Sequence, residues 1–116
     1  MLTLNIFLRP PLVKSNKSDY KNARMKYFLE NIVPHYDIIC LQEVFRKFNT
    51  RAQQIIRGAA ECGLIYSAKC PAPSESKALI DGGVLVLSRF DIIDHKFLPY
   101  EHSLFPDSCP SKVSCL

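Results

Sequence analysis

Asn5 and Glu43 are the two residues of this 116-residue chain whose types and placement best suit shared metal chemistry. Asn5 lies inside a short β-prone apolar run, and Glu43 lies just beyond a second one. If the two runs are neighbouring strands, an amide oxygen and a carboxylate arrive together at one sheet edge. Oxygen donors of this kind suit magnesium or calcium. A divalent ion held there polarises a phosphoryl oxygen and lowers the pKa of an attacking water, the usual metal contribution to phosphodiester hydrolysis. The same two residue types also serve as hydrogen-bonded or solvated surface groups, so the pairing of the strands decides between the two uses.

His35, His95 and His102 are acid or base candidates, because imidazole titrates near neutral pH. The Arg89 guanidinium could bind a phosphate or an internal carboxylate, and we read it as structural. Fifteen Lys plus Arg against eleven Asp plus Glu leave a net charge of +4. That surplus helps attract phosphates or an anionic membrane surface without selecting either. The basic residues are scattered from Arg9 to Lys112 with no dense run, which argues against a nucleic-acid patch.

The elements that must position these groups can be read from apolar spacing. Leu2–Leu8 is a β-prone run stopped by Pro10 and Pro11, which supply no ladder N–H. After a polar stretch at residues 14–19, Met25, Phe28, Leu29, Ile32 and Val33 recur three and four apart. This predicts an amphipathic helix ending near Pro34, with Lys21, Arg24, Lys26 and Glu30 largely off the apolar stripe. The run DIICL at 37–41 has the continuous apolar pattern of a strand buried on both faces, and its end delivers Gln42 and Glu43 to the sheet edge. Thr50 is placed as an N-cap for a second amphipathic helix through Ala52, Ile55, Ile56, Ala59 and Ala60, with Gly63 as its left-handed stop. Residues 64–69 read as a strand and 70–77 as a Pro- and Ser-containing loop. Gly82 and Gly83 open the β-prone VLVLS, and Asp91 separates it from a further strand at 92–98, expected as its antiparallel neighbour. Alternating strands and helices followed by consecutive strands favour a mixed-sheet α/β layout.

At this length one modest domain is expected, since a single core takes roughly 100 to 150 residues. Hydrophobic residues at 47% and charged residues at 22% are ordinary for a globular protein and exclude a wholly disordered or collagenous chain. The five cysteines, Cys40, Cys62, Cys70, Cys109 and Cys115, are odd in number and lack CxxC or zinc-ligand spacing. A reduced compartment is the simpler reading, cytoplasmic or peripheral to a membrane. MLTLNIFLRPPL is too short and interrupted for a signal peptide, and no window reaches the roughly 18 apolar residues of a membrane span.

Three segments together resemble the DNase I-like endonuclease/exonuclease/phosphatase superfamily: LTLNIF around Asn5, DIICLQEVF at 37–45 and GGVLVLSRFDI at 82–92. LQEV is the most specific of them, since Gln-Glu after an apolar strand is a fixed feature of those proteins. In that superfamily the Asn and the Glu both ligate the catalytic Mg²⁺, which implies metal roles for Asn5 and Glu43. FLRP after Asn5 and GGVLVLSRFDI make the chain most similar to the neutral sphingomyelinases, with bacterial sphingomyelinase C also close. Asp107 and Lys112 resemble an Asp and Lys, four residues between them, that sphingomyelinases place before Gly-Val and a new strand. The resemblance implies a lysine that meets a phosphate oxygen as a point charge, while a solvated pair in a Pro-containing loop is the alternative. Here Val113 follows Lys112 directly and the Gly is absent.

The resemblance implies a Mg²⁺-dependent phosphodiesterase acting on sphingomyelin at a membrane surface, releasing ceramide and phosphocholine. A nuclease or phosphoinositide phosphatase of the same superfamily, or a non-catalytic binding product, are the alternatives. None of the three histidines matches a family catalytic histidine, so no catalytic acid or base is expected in these residues. The matched segments correspond to about the first half of a family domain. The expected fold is therefore a partial DNase I-like α/β sandwich: one incomplete domain over residues 1–116, with a mixed sheet, two outer helices and the second sheet largely missing. Such a first sheet would expose an apolar face, and the chain by itself is expected to be catalytically inactive.

Overall fold

The alternation of short apolar runs with amphipathic stretches produces a four-stranded mixed sheet covered by two helices. The computed structural model describes residues 1–8, 20–44, 50–69, 83–99 and 113–115, with 97–99 and 113–115 described by their backbone. In chain order the elements are β1 (Leu2–Leu8), α1 (Lys21–Asn31), a 3₁₀ turn (Val33–His35), β2 (Ile38–Val44), α2 (Arg51–Glu61), β3 (Tyr66–Lys69), β4 (Leu85–Ser88), β5 (Phe97–Pro99) and β6 (Val113–Cys115). Strands β1 and β2 are parallel, β4 runs antiparallel to β2 and to β3, and the sheet order is β1-β2-β4-β3. The architecture is α/β, as expected.

Register follows the apolar alternation. Leu4 opposes Leu41, which opposes Leu85, while Ile39 opposes Leu87. These residues share one face, and the helices cover it with Phe28, Ile55 and Ala59. Leu8, Ile39, Leu41, Ile55 and Leu87 are completely buried. Each large apolar side chain withdrawn from water in this way contributes roughly 1.5–3 kcal/mol. The sheet's other face carries Thr3, Asn5 and Gln42 beside Ile38, Cys40 and Val86, all exposed or half-buried. It is a mixed face rather than the apolar one expected. The strand β2 is accordingly buried on one face only.

Three further expectations are corrected in whole or in part. Strand β2 does not stop at Leu41 but continues to Val44, because Gln42 pairs with Asn5 of β1 and the Val44 N–H donates to the Gly83 carbonyl at 2.8 Å. Thr50 takes the N-cap position of α2 as expected, its carbonyl accepting from the Gln54 N–H at 3.1 Å, but its hydroxyl makes no cap bond and accepts from Gln54 Nε2 at 3.3 Å instead. The strand expected at 92–98 is Phe97–Pro99, and it is not a neighbour of β4. Ser88 closes β4 locally, its hydroxyl donating to the Phe90 carbonyl and accepting from the Phe90 N–H, and the Arg89 N–H turns to the Asp37 carbonyl. The last of these bonds prolongs the β2–β4 register by one pair, and beyond it β5 pairs with β6 in a second, two-stranded sheet. That strand at Val113–Cys115 forms directly after Lys112, without the Gly found in the sphingomyelinase pattern.

Gly63 ends α2 with φ +90, the left-handed conformation expected of it. Helix α1 stops at Asn31, and Pro34 lies in the 3₁₀ turn that follows. No helix among the described residues is long and apolar enough to cross a membrane.

Candidate functional site

Asn5, midway along β1, meets Glu43 near the C-terminal end of the parallel strand β2. Asn5 Nδ2 donates to Glu43 Oε1 at 3.0 Å, bridging thirty-eight positions of sequence. In open α/β sheets this end of the strands is where ligands commonly lie. The pairing is a consequence of register: Asn5 stands directly opposite Gln42, so Glu43 is one residue beyond it on the adjacent strand.

Strict alternation would point Glu43 into the core alongside Ile39 and Leu41. Its backbone instead adopts φ +59, and Val44 takes the buried place, 3% exposed. The left-handed residue shifts the alternation by one and keeps the carboxylate on the Asn5 side. On β1 the register slips between Asn5 and Leu8, a bulge in which Phe7 also has positive φ, +57. Left-handed backbone costs a non-glycine residue roughly 1–2 kcal/mol, and bulky side chains rarely tolerate it. Two such residues within one strand pair are strain that surrounding structure must hold, and strain of this sort concentrates at functional sites.

The bulge removes the Phe7 N–H from the β1–β2 ladder, and the Asn5 side chain receives it: Phe7 N donates to Asn5 Oδ1 at 3.0 Å. This bond fixes which end of the amide is oxygen and which is nitrogen. Behind the bulge, Arg24 of α1 donates from Nη2 to the Phe7 carbonyl at 2.9 Å, and its guanidinium lies 5.8 Å from the Phe7 ring centroid. Sequence reasoning assigned Arg24 to the polar side of α1; it is half-buried against β1. Gln42, although opposite Asn5, turns its amide to the Cys40 carbonyl at 3.5 Å. A largely apolar groove of about 510 Å³ opens beside Asn5, between β1 and α1, with Leu4, Phe7, Arg24, Tyr27 and Ile32 among its lining.

The donor set is one carboxylate and one amide oxygen. Mg²⁺ takes oxygen ligands, keeps several of its waters and is often held by only one or two carboxylates, so these residues fit it as a partial shell. The Asn5 oxygen has a second lone pair beyond the one taken by Phe7, and a carboxylate accepts up to about four hydrogen bonds or ligands. Among the described residues no group of three or more His, Cys, Asp or Glu is clustered for a metal. Zinc, with its closed nitrogen and sulfur shells, is the poorer match to these two residues.

The remaining candidates lie elsewhere. Arg89 stands at the opposite end of β2 from Glu43, where its Nε donates to Asp37 Oδ1 at 2.9 Å and its Nη2 reaches the Cys62 carbonyl at 3.4 Å. It serves an internal carboxylate, the structural use expected of it. His35 is exposed in the 3₁₀ turn that precedes β2, again at the far end of that strand. His95 is exposed, its N–H donating to Asp94 Oδ1. Cys40 and Cys62 are free thiols. Asp107, Lys112 and His102 lie outside the described residues, as do the expected loops at 14–19 and 70–77, the stop at Pro10 and Pro11, Cys70 and Cys109.

No protein-family model matches the chain. Over 107 residues it is 36% identical to a protein of Dictyostelium discoideum named as a sphingomyelinase, an alignment covering 90% of this chain and 23% of that relative. The relationship is therefore sphingomyelinase-like, and the chain spans about a quarter of the length of the relative it matches.

Proposed function

We propose that the chain supplies the metal-holding part of a Mg²⁺-dependent phosphodiester hydrolase of the DNase I-like superfamily, with sphingomyelin at a membrane surface as substrate. The observation that carries this reading is the 3.0 Å contact between Asn5 and Glu43 on two parallel strands, beside the bulge of β1 and near the carboxyl end of β2. Asn5 and Glu43 hold the ion through oxygen. When bound, Mg²⁺ supplies Lewis-acid polarisation of a phosphoryl oxygen and acidifies a bound water. The strained bulge holds the two side chains adjacent with the Asn5 amide nitrogen toward Glu43, so binding of the ion replaces that hydrogen bond with coordination through Asn5 Oδ1 and the carboxylate. Similarity to a named sphingomyelinase supports the substrate class. Lys112 is proposed to meet a substrate phosphate oxygen as a point charge, with Asp107 holding the lysine or positioning its loop.

The motifs matched here bring metal ligands without a general base, so Mg²⁺ binding by this chain is expected without turnover. Two measurements test the reading. Calorimetric titration of the 116-residue chain should register Mg²⁺ binding that Glu43→Ala removes. The full-length gene product should release phosphocholine from sphingomyelin vesicles in Mg²⁺, and Glu43→Ala should lower that rate by orders of magnitude. Undiminished release by the variant would sink the proposal, and cleavage of DNA in place of sphingomyelin would change the substrate.

A further inference from the structure

We infer that Arg24 is a positioning residue for the Asn5–Glu43 pair, acting through the backbone of Phe7; the inference rests on the metal-site reading of that pair. Three donations run in one direction. Arg24 Nη2 donates to the Phe7 carbonyl at 2.9 Å, the Phe7 N–H to Asn5 Oδ1 at 3.0 Å, and Asn5 Nδ2 to Glu43 Oε1 at 3.0 Å. A guanidinium stands at one end of this series and a carboxylate at the other. Polarisation passes through the conjugated Asn5 amide, whereas the Phe7 carbonyl and N–H belong to successive peptide groups and are linked by backbone geometry, the φ and ψ of Phe7.

Phe7 is the vulnerable member. At φ +57 it occupies a conformation that a bulky side chain leaves when nothing restrains it. Its neighbours Ile6 and Leu8 are both held in the core, at 6% and 0% exposure, so the bulge has fixed ends. Between those ends Arg24 grips Phe7 twice, by the hydrogen bond to its carbonyl and by the guanidinium 5.8 Å from its ring centroid, within cation–π range. The direction of the Phe7 N–H follows from that grip, and the Phe7 N–H in turn orients the Asn5 amide. An arginine suits both contacts, since its planar fork can donate in plane while a face lies over a ring; a lysine offers a point charge that can do one or the other. Helix α1 thereby reports its position on β1 to the metal ligands.

The test combines calorimetric Mg²⁺ titration with amide NMR of the Asn5 side chain and the Phe7 N–H in the 116-residue chain, all measured well below the unfolding temperature. Arg24→Gln should weaken Mg²⁺ binding on the order of 10-fold, the usual scale for groups that orient metal ligands. It should also move the Asn5 side-chain amide signals and speed exchange of the Phe7 N–H. Arg24→Lys should recover part of each change. In an Asn5→Ala background, Arg24→Gln should weaken binding no further. A purely structural arginine would lower the unfolding temperature while affinity and Asn5 signals stayed at their wild-type values, and that result overturns the inference. Should Arg24→Gln not fold, Phe7→Leu tests the same grip by removing the ring contact alone. Should the unaltered chain bind no Mg²⁺, the metal reading fails, and the Asn5 signals still decide for or against the positioning role.

Discussion

Arg89 holds Asp37 twice, donating from Nε to the carboxylate at 2.9 Å and from its backbone N–H to the Asp37 carbonyl at 2.8 Å. The contacts tie the end of β4 to the start of β2. The two side chains are 43% and 63% exposed, so the ion pair is screened and contributes at most about 1 kcal/mol. Arg89→Ala is therefore expected to lower unfolding stability in urea by less than about 1 kcal/mol, since the backbone bond persists. Mg²⁺ affinity should be unaffected, because Glu43 lies at the other end of β2. A tenfold loss of affinity would mean that Arg89 belongs to the site.

Gly63 is where α2 meets this clasp. Its φ is +90, and a Cβ added there would stand 2.6 Å from Arg89 Nη1. Gly63→Ala suffers from both features, but they are separable. The guanidinium end can swing away at small cost, whereas the left-handed backbone cannot be relieved, so about 1–2 kcal/mol of destabilisation is expected. Most of that loss should persist when Gly63→Ala is combined with Arg89→Ala. If the double variant recovers fully, the clash and not the backbone was responsible.

Glu43 reverses an ordinary rule of strands. Replacing a strand residue by glycine normally costs more than replacing it by alanine, because glycine loses more chain entropy on folding. At φ +59 the Cβ itself is the strained atom. Glu43→Gly is thus expected to unfold at higher urea than Glu43→Ala, by roughly 0.5–1 kcal/mol, while both lose Mg²⁺ binding. The opposite ranking would show that the left-handed backbone at Glu43 is not held in solution.

These strained positions also mark where the sequence stops being readable. The bounds of β1, the apolar stripe of α1 and the stop at Gly63 follow from proline, periodicity and glycine, each of which acts within a few residues. The convergence of Asn5 and Glu43 was also legible, through the resemblance of LTLNIF and LQEV and through the simple idea of adjacent strands. The left-handed backbone at Phe7 and Glu43 was not, since only glycine and asparagine announce that conformation by type. The apolar run of β2 ends at Leu41, where Gln42 and Glu43 follow, yet ladder bonds to β1 and to Gly83 carry the strand on to Val44. That β5 pairs with β6 and not with β4 is a choice between distant partners, which no local pattern contains. Arg24 looked like one more solvated cation because periodicity sorts residues by helix face and is blind to a carbonyl on a neighbouring strand.

Metal linkage gives the most direct check on the site without any substrate. An ion that binds the folded chain and not the unfolded one raises stability by RT ln(1 + [Mg²⁺]/Kd), about 1.4 kcal/mol at a tenfold excess over Kd. For a chain of this size that corresponds to a rise of several degrees in unfolding temperature. The rise should appear on adding Mg²⁺, vanish with EDTA, and be absent from Glu43→Gln. That variant is chosen because its side-chain oxygen can still accept from Asn5 Nδ2, so the local hydrogen bond survives while the charge that attracts the ion is gone. Its unfolding temperature without metal should therefore stay close to that of the unaltered chain. A Mg²⁺-dependent rise of equal size in Glu43→Gln would place the ion elsewhere on the chain and leave the 3.0 Å contact between Asn5 and Glu43 as a structural hydrogen bond.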